Sequence, residues 1–207
     1  MPHDRRVERL VRCLVGLALC GTGITAIIEA DLGLAPWDVL HQGISDRVDL
    51  PIGTVILLVG AVVLTAWWPL HIRPGVGTIL NAALVGVFVD VSGLVYPDVH
   101  GSGAAVSSLV AGLGAMGIGS GLYIGAGLGP GPRDGLMTGI AARGCSLRLT
   151  RTVLEVAVLG VGWLLGGSVG IGTAVFAVAI GPIVHVALPR LTVHVDPVPA
   201  AEPMVAG

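Results

Sequence analysis

Two aspartates in an otherwise apolar chain recur in the same setting. Asp38 and Asp134 each stand two positions after a proline, in the pattern Leu-Gly-x-x-Pro-x-Asp. Proline suits the first turn of a helix, where its missing N–H is not needed. Each aspartate then falls in a first turn, beside free backbone N–H groups and the positive end of the helix dipole. The carboxylate there serves either as a helix cap or as a ligand for a cation or polar solute, and the residue types fit both roles. From Pro36 onward Asp38, His41, Gln42 and Ser45 follow helical spacing on one face, with Trp37, Leu40 and Ile44 on the other. The second copy sets Asp134 and Thr138 at the places of Asp38 and Gln42. Glu155 is a third carboxylate, inside an apolar stretch, where an ionisable group is a functional candidate for proton or solute handling. Arg151 lies four residues before it, so a structural ion pair is the competing reading. Asn81 and His185 are lone polar residues expected to hydrogen-bond between helices.

The elements that must position these residues belong to a membrane protein. Of the 207 residues 54% are hydrophobic and 12% charged, with a mean hydropathy of +0.90, against roughly 25% charge in a soluble domain. Nearly uncharged stretches at 13–28, 51–68, 75–95, 101–128, 149–165 and 172–188 predict six transmembrane helices. The last two are parted by the glycine-rich run 166–171. The short amphipathic helix that starts at Pro36 reaches only about half of the ~30 Å hydrocarbon core. It either lies flat, with Trp37 in an interfacial aromatic belt, or dips in as a re-entrant half-helix. Non-helical backbone at membrane depth is tolerable only where it lines a cavity or is buried in protein.

Charge placement predicts the orientation. Ten arginines (Arg5, Arg6, Arg9, Arg12, Arg73, Arg133, Arg143, Arg148, Arg151 and Arg190) fall on one side of the six spans, and Arg47 alone on the other. By the positive-inside rule both termini are expected to be cytoplasmic. The residues after Arg190, rich in Pro, Ala and Val, are expected to form a disordered cytoplasmic tail. An alternative reading of the N-terminus as a lipoprotein signal ending at Cys20 fits poorly, because Leu19 is large and the apolar run continues to Ile28.

Several function classes fall away. All eleven basic side chains counted as Lys+Arg are arginine, which removes the phosphate-binding lysine of a P-loop and a lysine Schiff base. The net charge of -2 with scattered arginines gives no basic stripe for nucleic acid. Cys13, Cys20 and Cys145 have no C-x-x-C spacing, so neither a disulfide framework nor a metal site is expected. Glycine-rich strings at 21–26 and 125–131 follow no strand, so no nucleotide cofactor is expected. No Ser/His/Asp, Cys/His or H-E-x-x-H arrangement predicts an enzyme.

An internal repeat organises the rest. An offset of 96 aligns residues 21–45 with 117–141 without a gap, and eleven of the 25 positions are identical: Gly21/Gly117, Gly23/Gly119, Ile28/Ile124, Ala30/Ala126, Leu32/Leu128, Gly33/Gly129, Pro36/Pro132, Asp38/Asp134, Leu40/Leu136, Gly43/Gly139 and Ile44/Ile140. After a one-residue slip, Gly75-Val76-Gly77-Thr78 matches Gly170-Ile171-Gly172-Thr173. Val59 is the first-half counterpart of Glu155, so the role of Glu155 is not symmetric. The division is a cytoplasmic segment 1–12, a first three-helix repeat 13–98, a second 99–189, and the tail 190–207. Three crossings per unit place the second copy upside down, an inverted repeat of the kind many transporters use. Gly117, Gly121, Gly125 and Gly129, four residues apart, leave one bare helix face for close packing.

The stretch Ala30 to Gly43, with Gly131-Pro132-Arg133-Asp134 to Gly139, Arg151 to Glu155, Gly166 to Thr173 and Ile180-Gly181-Pro182, resembles the bacterial YczE/YyaS/YitT group of integral membrane proteins. The resemblance covers nearly the whole chain apart from its tails. It implies a bacterial multi-pass membrane protein and no particular substrate. An all-α polytopic protein that moves a small solute at the repeat interface is the leading expectation, with Asp38, His41, Gln42, Asp134, Thr138 and Glu155 as candidate solute contacts. The alternative is a non-transporting accessory or scaffold subunit. Expected partners are the lipid bilayer and a small solute, with a second copy or another membrane subunit beside them.

Overall fold

The computed structural model describes residues 5–193, which form eight helices and no strand. They are α1 (Arg6–Ala30), α2 (Pro36–Val48), α3 (Ile52–Thr65), α4 (Val76–Gly93), α5 (Ser102–Gly125), α6 (Pro132–Ala141), α7 (Leu147–Leu164) and α8 (Ile171–Leu191). Four of them, α1, α4, α5 and α8, are long and apolar enough to cross a membrane. Together α2 and α3 would suffice for a fifth crossing, but they bend by 114° at their break.

The helix count therefore differs from the six continuous spans of the hydropathy reading. The stretch 51–68 is helical only over the 14 residues Ile52–Thr65, about 21 Å at ~1.5 Å per residue. The stretch 149–165 falls on α7 and its C-cap Leu165, and that helix carries Arg148, Arg151 and Glu155. Helix α1 begins at Arg6, so 6–12 of the expected N-terminal segment are part of it, with Glu8 and Arg12 paired at 2.7 Å one turn apart, and 1–4 lie outside the described residues. At the other end α8 continues to Leu191, past Pro182 and Pro189. The remainder of the expected tail, 194–207, lies outside the described residues.

Local chemistry sets the boundaries. Helix α1 ends where Asp31 takes a left-handed conformation, φ 48°, and α2 ends likewise at Asp49, φ 55°. Short polar side chains tolerate that region better than most. Both short helices begin with proline at the first helical position, Pro36 in α2 and Pro132 in α6, after an extended N-cap residue.

The centre of the molecule is the crossing of α1 and α5. A Cβ on Gly16 would stand 2.6 Å from the Gly119 carbonyl oxygen, and one on Gly112 would stand 2.7 Å from that of Gly23. Numbers rise along one helix as they fall along the other, so the two run antiparallel. Each contact maps onto the other under the offset of 96. Such backbone contact needs small residues, which is how helices gain packing energy when lipid removes the hydrophobic drive between them. The outer helices follow the same relation: Gly21 of α1 meets Phe88 of α4, and Gly117 of α5 meets Ile183 of α8. Gly121 and Gly125 also face α8, at Ala187 and Leu191, so the glycine stripe of α5 is covered from within the chain.

Helices α2 and α6 each cross to the opposite half. Gly43 of α2 lies against Leu165 and the Gly162 carbonyl at α7, and Gly139 of α6 lies against Leu70 and Ile72 just after α3. Bulk is exchanged between the two contacts: Val39 meets Gly162 on one side, whereas Gly135 meets Trp67 on the other. Arginines close the exchange. Arg47 donates to the Leu164 and Leu165 carbonyls at 3.3 and 3.0 Å, ending α7. Arg143, 96 positions on, donates to the Pro69 and Gly139 carbonyls at 3.4 and 2.8 Å. Outward, Val62, Val91, Val110, Val156 and Val178 are more than half exposed, a surface matched to hydrocarbon.

Candidate functional site

The loops ahead of α2 and α6 are pinned by two equivalent clamps. In the first, Gly172 N–H donates to the Leu32 carbonyl at 2.6 Å and Leu34 N–H to the Ser168 carbonyl at 3.2 Å. In the second, Gly77 N–H donates to the Leu128 carbonyl at 2.8 Å. Gly33 and Gly129 take φ of +101° and +121° there, which only glycine adopts readily. Gly33 packs on Gly170 and Thr173, and Gly129 on Gly75 and Thr78. The two threonines accept from Gly170 and Gly75 N–H at 3.2 and 3.1 Å, and Thr78 also donates to the Pro130 carbonyl at 2.7 Å. Glycine and threonine are needed because backbone must touch backbone and the remaining polar groups must still be paired.

The clamps bring the first turns of α2 and α6 together at a cavity of about 170 Å³. Its wall takes Cys20 and Ile24 from α1, Val59 and Val63 from α3, Asn81 and Val85 from α4, Ser120 and Tyr123 from α5, Arg151 and Glu155 from α7, and Phe176 from α8. Trp37, Asp38, Arg133 and Asp134 complete it from the two short helices. Val59 and Glu155, equivalent under the repeat offset, both line the wall, one apolar and one acidic.

The two aspartates are held differently. Asp38, whose side chain is 3% exposed, lies with Oδ1 3.2 Å from His41 Nδ1 and 3.7 Å from Arg133 Nη2. Asp134 Oδ2 accepts the Tyr123 hydroxyl proton at 2.9 Å. The Arg133 guanidinium stacks over Trp37, 5.0 Å from ring centre to Cζ, a cation–π geometry. Arg151 Nε donates to Glu155 Oε1 at 2.8 Å, so that ion pair is made.

Of the six candidate solute contacts, the cavity gathers Asp38, Asp134 and Glu155. His41 lies fully buried behind Asp38, off the wall, and its Nε2 has no partner among the described residues. Gln42 instead accepts Ser168 N–H at 2.6 Å, holding the loop before α8. Thr138 bonds back to the Gly135 carbonyl at 3.1 Å within its own helix. The polar face of α2 is thus turned into the protein: Asp38 and His41 are among its most buried residues, while Leu40 and Ile44 are partly exposed. Arg133 and Tyr123 were not among the candidates; the place of Arg133 within the repeated Pro-x-Asp, opposite Trp37, is the signal that marks it. Among the described residues no group of three His, Cys, Asp or Glu is placed to hold a metal ion.

Comparison with known proteins agrees with a membrane protein. A curated protein of Haemophilus influenzae, described as uncharacterized, is 37% identical over 173 residues, covering 83% of this chain and 79% of its own. The uncharacterized membrane protein YczE of Bacillus subtilis is 32% identical over 179 residues, covering 84% and 83%. YyaS of the same organism is 26% identical over 192 residues, covering 87% and 92%. No solved structure matches the chain. The model of a family of unknown function, DUF6198, matches residues 7–189. With that match over most of its length, the chain belongs to the DUF6198 family and is similar to the uncharacterized membrane protein YczE.

Proposed function

We propose that the protein is a small-solute permease of the bacterial plasma membrane, with its binding site in the cavity between α2 and α6. The observation that carries the reading is the meeting of two short-helix first turns, one from each half of the chain, at a cavity whose charged groups include Asp38, Arg133 and Asp134. In this reading α2 and α6 are re-entrant half-helices entering from opposite faces, and the loops before them reach membrane depth. Both loops are clamped by backbone hydrogen bonds to the opposite half, and 33–35 of the first are buried; backbone at membrane depth must be buried in protein or line a cavity. The antiparallel α1 and α5, with equivalent glycine contacts, support an inverted repeat. The arginine distribution supports cytoplasmic termini, which puts the start of α7 and the half-exposed Arg151 at the cytoplasmic mouth of the cavity. The function so assigned is a passage and not a reaction. A scaffold would present its glycine faces to a partner, whereas the stripe on α5 is already covered by α8.

The test is water access at depth. Single cysteines at positions 37 and 133, in a background with Cys13, Cys20 and Cys145 replaced, are labelled with membrane-impermeant maleimide in intact cells and inverted vesicles. The reading expects position 133 to label from the cytoplasmic side while spin-labelled lipids report a depth near the bilayer centre. Labelling only at interfacial depth would overturn the re-entrant arrangement and the permease reading with it.

A further inference from the structure

We infer that the cavity binds its solute through a small oxyanion group, a carboxylate or phosphate, held by Arg133 with Trp37 beside it; this deepens the permease reading by naming the chemistry of what is carried. Five charged side chains meet at the cavity, and four of them make a side-chain hydrogen bond. Asp38 is bonded to His41, Asp134 to Tyr123, and Glu155 to Arg151. Arg133 makes no hydrogen bond among the described residues; it is ion-paired with Asp38, Nη2 to Oδ1 at 3.7 Å, a separation outside hydrogen-bond range that leaves its N–H donors unused. A guanidinium presents five N–H donors in a planar fork that matches the two oxygens of an oxyanion. Here the fork is held in place by its stack on Trp37 and is 30% exposed on the cavity wall.

Trp37 adds a second, independent sign. Its side chain belongs to the cavity wall and the residue is only 8% exposed, yet Nε1 finds no acceptor. Buried indole N–H groups normally have one. A guanidinium without a hydrogen bond lies against an indole whose N–H, itself buried, has no acceptor, so donors exceed acceptors at this wall. The ends of α2 and α6 strengthen the preference, since both lack a side-chain cap and both direct the positive ends of their dipoles here. Asp38 does not satisfy these donors, because its Oδ1 is shared with His41 Nδ1 at 3.2 Å and stays 3.7 Å from Arg133 Nη2.

The experiment measures binding and passage separately. Purified protein is titrated at constant ionic strength with sodium acetate, glycine, sodium phosphate, choline chloride and sorbitol, with the shift in thermal unfolding as readout. Wild type is expected to respond saturably to at least one of acetate, glycine and phosphate, and to neither choline nor sorbitol. Which of the three responds identifies carboxylate or phosphate as the source. Arg133→Gln should weaken that response by about tenfold or more, Arg133→Lys by less, and Trp37→Phe by several-fold. Lys and Phe keep the charge and the ring, so they carry the test if the Gln variant does not fold. A response to no oxyanion, or one unchanged in all three variants, overturns the inference. Uptake of the same solutes into proteoliposomes is then compared. Binding without uptake overturns the permease reading and leaves this inference standing. Uptake of choline or sorbitol, unaffected by the Arg133 variants, overturns this inference and leaves the permease reading standing.

Discussion

Trp37 and Arg133 occupy the same position in the two halves of the chain, 96 residues apart, and they touch, with Cζ of the arginine 5.0 Å over the indole ring. Cys20 and Met116 are a second such pair, the thiol sulfur lying 3.9 Å from the Met116 carbonyl oxygen. Positions that meet their own equivalents lie where the two halves exchange. Identical residues there would contact themselves, which two guanidiniums could do only at an electrostatic cost. The pair has instead diverged into a cation and an aromatic face, an attraction of about 0.5–2 kcal/mol.

That contact makes a directional prediction. Trp37→Arg brings two cations together in a half-buried place, whereas Arg133→Trp brings two rings together. The first should lower the unfolding midpoint of the purified protein clearly more than the second. Equal losses would mean that the two side chains do not meet.

Gly33 and Gly129 should not tolerate alanine. Their φ values of +101° and +121° disfavour any Cβ, and one on Gly129 would stand 2.8 Å from Thr78 Oγ1. Each substitution should cost about 1–3 kcal/mol. Gly101 also has positive φ, +82°, but nothing lies within 4 Å of its added Cβ, so Gly101→Ala isolates the backbone cost. Unfolding in detergent followed by size-exclusion fluorescence should show the two clamp variants losing more than Gly101→Ala.

Much of this arrangement is legible in the sequence, and what is hidden has physical reasons. The repeat and Leu-Gly-x-x-Pro-x-Asp announce two short helices after two long ones, because proline and glycine act locally. The absence of charge runs 51–68 together, since Trp67 and Trp68 are as uncharged as the helix before them. The chain turns there instead, with His71 at φ 51° and Trp67 Nε1 bonded to the Pro132 carbonyl at 3.0 Å. Helical spacing puts Asp38 and His41 on one face but does not say which medium that face meets; the contact with α7 turns it inward. Tyr123 stands at the repeat place of Ile27, and nothing local distinguishes it from another apolar span residue. Its partnership with Asp134 exists only once α6 folds back on α5.

Arg47 and Arg143 should prove structural. Each supplies donors to carbonyls left open at a helix end, and hydrogen bonds from a charged donor are worth about 1.5–3 kcal/mol when buried and less when exposed. Both pairs involve exposed atoms, so Arg47→Ala and Arg143→Ala should each lower stability by about 1 kcal/mol. Lysine should restore part of it. A loss of solute binding without a loss of stability in either variant would contradict the assignment.

Cys145 should be the thiol that reacts. It is exposed, whereas Cys13 and Cys20 are 0% and 6% exposed in the core. A maleimide in mild detergent should label the folded protein at one site, and Cys145→Ser should abolish that labelling. Added denaturant should then expose two more. Labelling of Cys20 in the folded state would mean that α1 and α5 part readily.

The crossing of α1 and α5 offers the sharpest test of the exchange between halves. Gly16 and Gly119 face one another, as do Gly112 and Gly23, each with an added Cβ 2.6–2.8 Å from the opposite carbonyl oxygen. A single alanine at any of the four must push the helices apart by a fraction of an ångström. Once that is done at one crossing, a second alanine at the same crossing meets a gap already opened. Gly16→Ala with Gly119→Ala should therefore cost less than the sum of the singles, by about 0.5–3 kcal/mol of coupling. The pair Gly23→Ala with Gly112→Ala should behave alike, because the offset of 96 carries one crossing onto the other. Gly16→Ala with Gly112→Ala, at different crossings, should couple less unless the helices move as rigid rods. Additive losses at both facing pairs would show that the glycines are not in contact, and the antiparallel pairing of the two halves would have to be abandoned.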